Sequence, residues 1–201
     1  MTVKVTLVTA LTAATMLAAA PDFKSVWRSP DASSLDFPGK KVAALVITAD
    51  DSLRVAGEES LARELTARGM QGVATYRMAP KEELVSAERA RGWFGRAGVE
   101  GVVALRPISG EKRLSYNDSL WLSPSYSTFW GYYGYGYTNA VVIGGVDRDT
   151  VVTVETLIFS VPGNQLLWAA VSETRNPKTL QKFVEDLVKE SAKQLQQQRK
   201  K

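Results

Sequence analysis

The chain has no cysteine and no histidine among its 201 residues. The two gaps remove the thiolate nucleophile, the imidazole base and every Cys/His zinc site, so any catalysis would run on Asp, Glu, Lys, Tyr, Ser or Thr. The missing cysteine says nothing about compartment, since only its presence would be a redox argument. Charge of one sign is scarce as well: 25 Lys and Arg against 21 Asp and Glu leave +4. No Lys or Arg lies between Leu114 and Val146. So small a balance gives no case for nucleic acid, whose affinity rests on many phosphate contacts.

A long apolar run is also missing. Val5 to Ala20 is apolar but contains four threonines, and it falls short of the about 20 strongly apolar residues that span a bilayer. With Lys4 ahead of it and a polar stretch behind, it has the layout of an export signal over residues 1–20. The expected location is exported and periplasmic, with association at the outer membrane as the further possibility. LAAA, Leu17 to Ala20, resembles the lipobox of bacterial lipoproteins, whose fourth position is the cysteine that takes the diacylglycerol. Ala20 stands there and offers no thiol.

What remains, 21–201, has the apolar and charged content of one globular domain. KKVAALVIT, Lys40 to Thr48, is a nearly unbroken apolar segment and predicts a central strand buried on both faces. Asp50, Asp51 and Ser52 can cap a following helix whose Val55, Leu61, Ala62 and Leu65 share a face, with Gly69 ending it and Met70 folding back on Leu65. GVATYRM, Gly72 to Met78, predicts a second strand. Pro80, with Glu82 and Glu83 in the first turn, opens a helical region expected to run to Arg96 with a break near Gly92. Val99 to Pro107 predicts a third strand.

That alternation argues for βαβ units and a partly parallel sheet. Thr150 to Ser160, the turn at Pro162 and Gly163, and QLLWAAVSET then predict an antiparallel hairpin. Asn176 as cap and Pro177 as first residue predict a terminal helix with an apolar stripe of Leu180, Phe183, Val184, Leu187, Val188 and Leu195. The expected fold is a single α/β domain, a mixed sheet of about five strands with a C-terminal hairpin and a C-terminal helix.

Against these absences stands one excess. Residues 116 to 137 hold nine of the eighteen aromatic residues, inside a Tyr- and Gly-rich insert at 114–146. Tyr133, Tyr135 and Tyr137 alternate with Gly134 and Gly136, so an extended ribbon would carry three rings on one face. The candidate binding residues are Trp121, Tyr126, Phe129, Trp130, Tyr132, Tyr133, Tyr135 and Tyr137. Three roles compete for them: packing on the chain's own domain, anchoring a protein partner, or stacking on glycan rings and seating at the membrane interface. GYYGYG lacks the Lys and Ser/Thr of a phosphate loop, and no cofactor or metal motif is present.

Carboxylates are the remaining route to chemistry. Asp50 with Asp51 and Asp147 with Asp149 are close pairs, read chiefly as a helix cap and as solvated loop ends. Glu155 and Glu173 sit inside strands, where alternation decides whether either is buried. A cavity gathering two of Asp50, Asp51, Glu155 and Glu173 would favour a hydrolase working without histidine.

Trp27 and Pro30, Arg54 and Glu58 with Gly69 closing their helix, AGVEGVVAL from Ala97, and LIFSVPGNQLLWAAVSETRNP from Leu157 to Pro177 together resemble a family of bacterial envelope lipoproteins built on a domain of unknown function. The resemblance covers most of 21–201, and that family often carries a Tyr, Gly and Trp insert at the same place. More distantly, the element order is similar to the small α/β domains of the curli secretion lipoprotein and the Tol translocation protein. Those distant relatives imply binding and assembly without turnover; the partner expected for the aromatic insert is an envelope protein or a cell-wall glycan. Physically, Arg54 and Glu58 lie one helical turn apart and can pair. Trp168 is expected in the core, across the hairpin from Leu157 or Phe159.

Overall fold

The structure is a computed structural model describing residues 20–30, 32, 37–108, 116–142 and 150–198. The export signal, apart from Ala20, and the pair Asp147 and Asp149 lie outside the described residues. The elements run β1 (Asp22–Arg28), β2 (Lys41–Val46), α1 (Asp51–Ala67), β3 (Gln71–Ala74), α2 (Lys81–Leu84), α3 (Ala87–Ala97), β4 (Gly101–Ile108), α4 (Asp118–Trp121), α5 (Pro124–Ser127), α6 (Phe129–Thr138), β5 (Val151–Ser160), β6 (Gln165–Arg175) and α7 (Leu180–Gln198). They build one mixed sheet of six strands in the order β1-β6-β5-β4-β2-β3. β3, β2 and β4 are parallel, while β4, β5, β6 and β1 are antiparallel.

Alternation along the strands splits the core into two layers. Ala43, Leu45, Val102, Ala104, Leu157 and Phe159 face α3 and α4 to α6. Val42, Ala44, Val46, Val103, Leu105 and Ile158 face α1 and α7. Both sides of β2 are covered, so its apolar run reads as it packs. Among the described residues no helix is long and apolar enough to cross a membrane.

Local chemistry sets the helix ends. The Asp50 side chain accepts from the Leu53 amide at 3.0 Å and caps α1. At the other end Gly69 takes φ +83°, with Gly69 N donating to Thr66 O at 3.0 Å and Met70 N to Leu65 O at 3.2 Å. This is the Schellman ending expected from the sequence. Gly98, at φ +64°, closes α3 in the same way.

The expected mixed sheet, C-terminal hairpin and C-terminal helix are present, with β1, an edge strand on β6, as a sixth strand. Several local expectations are corrected. The strand expected over 72–78 stops at Ala74 and becomes a 3₁₀ turn, Thr75–Arg77. The Glu58 carboxylate accepts from the Thr75 hydroxyl and the Tyr76 amide and bends the chain away. The helical break falls at Val85 and Ser86, and Gly92 lies inside α3. Asn176 sits at φ +48° with its amide on Thr150 O, continuing the hairpin. A left-handed residue cannot be an N-cap, and the Thr179 hydroxyl accepts from Lys182 N instead, so α7 starts at Leu180. Trp168 is fully buried, but a register shift after Ile158 sets it opposite Ile158 rather than Leu157 or Phe159.

Candidate binding site

The aromatic segment is a helix, not an extended ribbon. Thr128 caps α6 by accepting from Gly131 N at 3.1 Å, and Phe129, Tyr132, Tyr133 and Gly136 then fall on one face at helical spacing. That face lies on the sheet. A Cβ on Gly136 would stand 2.7 Å from Ile47 Cδ1, and one on Gly131 2.3 Å from the Pro124 carbonyl oxygen. Both glycines therefore serve close approach.

Five of the candidate residues, Trp121, Tyr126, Phe129, Tyr132 and Tyr133, are interior, at no more than 1% exposure. Trp130, Tyr135 and Tyr137 are half-buried at the margin of this layer. Phe94 of α3 holds Phe129, Trp130 and Tyr133 in mostly edge-on or tilted contacts at 5.3 to 6.0 Å.

Beneath the rings sits a buried ion pair. Arg106 of β4 meets the Glu155 carboxylate of β5 through Nε at 2.9 Å and Nη2 at 2.8 Å. Tyr126 donates to the other carboxylate oxygen at 2.8 Å, and Tyr132 donates at 2.9 Å. Burial works against the Arg106 charge, but Tyr132, Glu155 and Tyr126 outweigh it and raise its pKa. Burial, then the Glu155 charge, pushes the Tyr126 and Tyr132 phenols upward. Arg106 escaped the sequence reading. Its signal was a lone charge in an apolar strand, matched by a lone Glu in the strand that pairs with it.

A second polar group lies at the carboxyl ends of the parallel strands. The chain leaves β2 toward α1 on one face of the sheet, while the segment after β4 leads to α4 to α6 on the other. Such a switch point opens a crevice. Here it measures about 250 Å³ and is lined by Thr48, Asp51, Arg54, Lys81, Tyr137 and neighbouring apolar residues. The Thr48 hydroxyl and the Ala49 amide both donate to Val141 O, tying the exit of β2 to the segment that follows α6.

Arg54, 6% exposed, donates through Nε to Asp51 at 3.2 Å, and its Nη1 stands 3.8 Å from Glu58. Nη1 is buried and makes no hydrogen bond, and the buried Tyr137 hydroxyl has beside it only that of Tyr133, which donates to Leu84 O and makes no well-formed bond to Tyr137. Lys81, itself bonded to Asp51, is the chief cause of the lowered Asp51 pKa. Burial raises the Glu58 carboxyl, outweighing its bonds from Thr75 and Tyr76 and the Arg54 charge. Burial, then Glu58, pushes the Tyr137 phenol up to about 12.

The four carboxylates considered for chemistry are dispersed. Asp50 caps α1, Asp51 lines the crevice and Glu155 is locked under the aromatic layer. Glu173 lies on β6, 3.4 Å from Lys24. Among the described residues no group of three or more acidic side chains could hold a metal ion. The Arg54 and Glu58 pair expected on one helix face is present and buried.

The arrangement is a three-layer α/β domain with a crevice at the strand carboxyl ends and an aromatic layer beside it. No family model and no curated protein sequence matches the chain. Among solved structures, the PelC dodecamer from Paraburkholderia phytofirmans is similar at 15% identity and a TM-score of 0.43, over 80% of this chain and 89% of that one. A point variant of that dodecamer is similar at 16% identity and a TM-score of 0.41, over 85% of this chain and 98% of that one.

Proposed function

We propose that the chain is a non-catalytic exported domain of the bacterial cell envelope, of the lipoprotein type it resembles, and that it binds at the carboxyl-end crevice. The observation that carries the site is the pair of buried polar atoms without hydrogen bonds, Arg54 Nη1 and Tyr137 Oη, on residues lining one cleft. Arg54 Nη1 has only the long 3.8 Å contact with Glu58, and a buried polar group short of a hydrogen bond costs about 1–3 kcal/mol, so a ligand bringing acceptors recovers part of that cost on binding. A cell-wall glycan offers hydroxyls and carboxylates and suits a cleft that mixes Lys81, Asp51, Thr48 and a phenol.

The export layout and the resemblance support an envelope role. The carboxylates a histidine-free hydrolase would need are capped, paired or apart, which favours binding over turnover. Cosedimentation with purified sacculi tests the site. Tyr137→Phe and Lys81→Met, with unchanged circular dichroism, are each expected to lower the bound fraction at least fivefold. Undiminished binding by both would remove the crevice from the reading.

A second surface supports a protein partner. Arg91 lies over the Trp130 ring at 5.1 Å and Arg96 over the Trp93 ring at 4.2 Å. Trp and Arg are the residues that most often anchor interfaces. Capture of an envelope protein that is lost in Trp93→Ser with Trp130→Ser, but kept in Tyr137→Phe, would place binding on this surface.

A further inference from the structure

On the opposite side of the sheet from the aromatic layer, α1 and α7 leave a cavity of about 320 Å³. Its wall is mainly hydrocarbon, from Leu65, Val103, Ile158, Val188 and Leu195. Its volume and composition fall within the range of small-ligand sites, which are mostly apolar with a few polar groups. Two of the lining residues carry such groups. Thr156, 3% exposed, and Ser191, 6% exposed, both line the cavity, and the hydroxyl of each is buried without a hydrogen-bond partner.

The shape narrows the ligand further. The wall from α7 runs from Val188 to Gln196, eight positions or about 12 Å of helix at 1.5 Å per residue. A cavity drawn out along a helix suits a chain better than a ring. Among the described residues the one charged side chain in its lining is Arg68, held by Nη1 on Glu64 at 2.5 Å and 31% exposed in its side chain. A cation at the margin of a hydrocarbon slot complements an anionic head.

We infer that this cavity is a binding site for a single-chain amphiphile: a hydrocarbon chain lies between α1 and α7, and its polar head is met by Thr156, Ser191 and Arg68. The crevice at the strand ends plays no part in it, so either site can fail without the other.

The test titrates the folded domain with dodecanoate below its micelle concentration and follows side-chain methyl resonances. Saturable shifts are expected at Leu65, Val103, Ile158, Val188 and Leu195, with no change at the exposed Leu122. Ala192→Leu, which fills the slot, should weaken binding at least tenfold. Thr156→Val, which keeps the shape and removes the hydroxyl, should weaken it at least threefold and serves if the filled variant does not fold. Shifts that never saturate, or Thr156→Val binding as tightly as the parent, would overturn the assignment.

Discussion

Arg106 and Glu155 stand directly opposite each other on neighbouring antiparallel strands, and their charges meet inside the core. The pair is the polar floor of the aromatic layer, because Tyr126 and Tyr132 spend their hydroxyls on the same carboxylate. Removing one member leaves a buried charge uncompensated, which costs about 3–5 kcal/mol. Arg106→Met and Glu155→Leu are each expected to lose that much in urea denaturation. The double variant should lose less than either single change, because no unpaired charge remains.

The glycines of α6 divide into two kinds. Gly131 and Gly136 admit no Cβ without displacing Pro124 O or Ile47, whereas a Cβ at Gly134 meets nothing within 4 Å. Gly134→Ala should stabilise by about 0.5–1 kcal/mol through helix propensity. Gly131→Ala should destabilise by more than about 1 kcal/mol, since Pro124 O belongs to backbone and yields little. Thermal melts of the two variants give shifts of opposite sign.

Alkaline pH should unfold the domain. Burial raises the phenols of Tyr126, Tyr132 and Tyr133, and that of Tyr137 to about 12, against about 10 in an unfolded chain. A folded pKa above the unfolded one means the folded state holds the proton more tightly. The stabilisation is therefore complete below about pH 10 and is lost as pH rises through the folded values. Melting temperature followed together with phenolate absorbance should show the two changing in one cooperative step. Phenolate formation complete before unfolding would contradict the buried placement.

Lys81 is the largest influence on Asp51, with Arg54 adding to it. Lys81→Met should move the Asp51 pKa upward toward the ordinary carboxylate value while leaving the fold unchanged. Carboxyl carbon shifts against pH would report it, and an unmoved Asp51 would show that the contact does not persist in solution.

Much of the frame was legible because its signals are local. The apolar run of β2, the Asp50 cap, Gly69 with Met70, and the Pro162 and Gly163 turn each involve groups within a few residues of one another. The aromatic segment was harder to read because it carries two periodicities. Tyr133, Tyr135 and Tyr137 alternate as in a strand, while Phe129, Tyr132, Tyr133 and Gly136 repeat as in a helix. The Thr128 cap and the sheet beneath select the second.

By itself the sequence determined the chemistry open to this protein and the order of its elements from β2 to β4 and from β5 to α7. The absence of Cys and His, the scarcity of excess charge and the punctuation by Gly, Pro and Asp are properties of composition and of near neighbours, and no packing can alter them. Only the tertiary structure decided which rings are interior, that Arg106 faces Glu155 across a strand pair, and that Arg54, Lys81 and Tyr137 share a crevice. Those relations join residues up to 83 positions apart in the last case, Arg54 to Tyr137. They depend on strand order and on which face of the sheet each helix covers, and no short window of sequence records either.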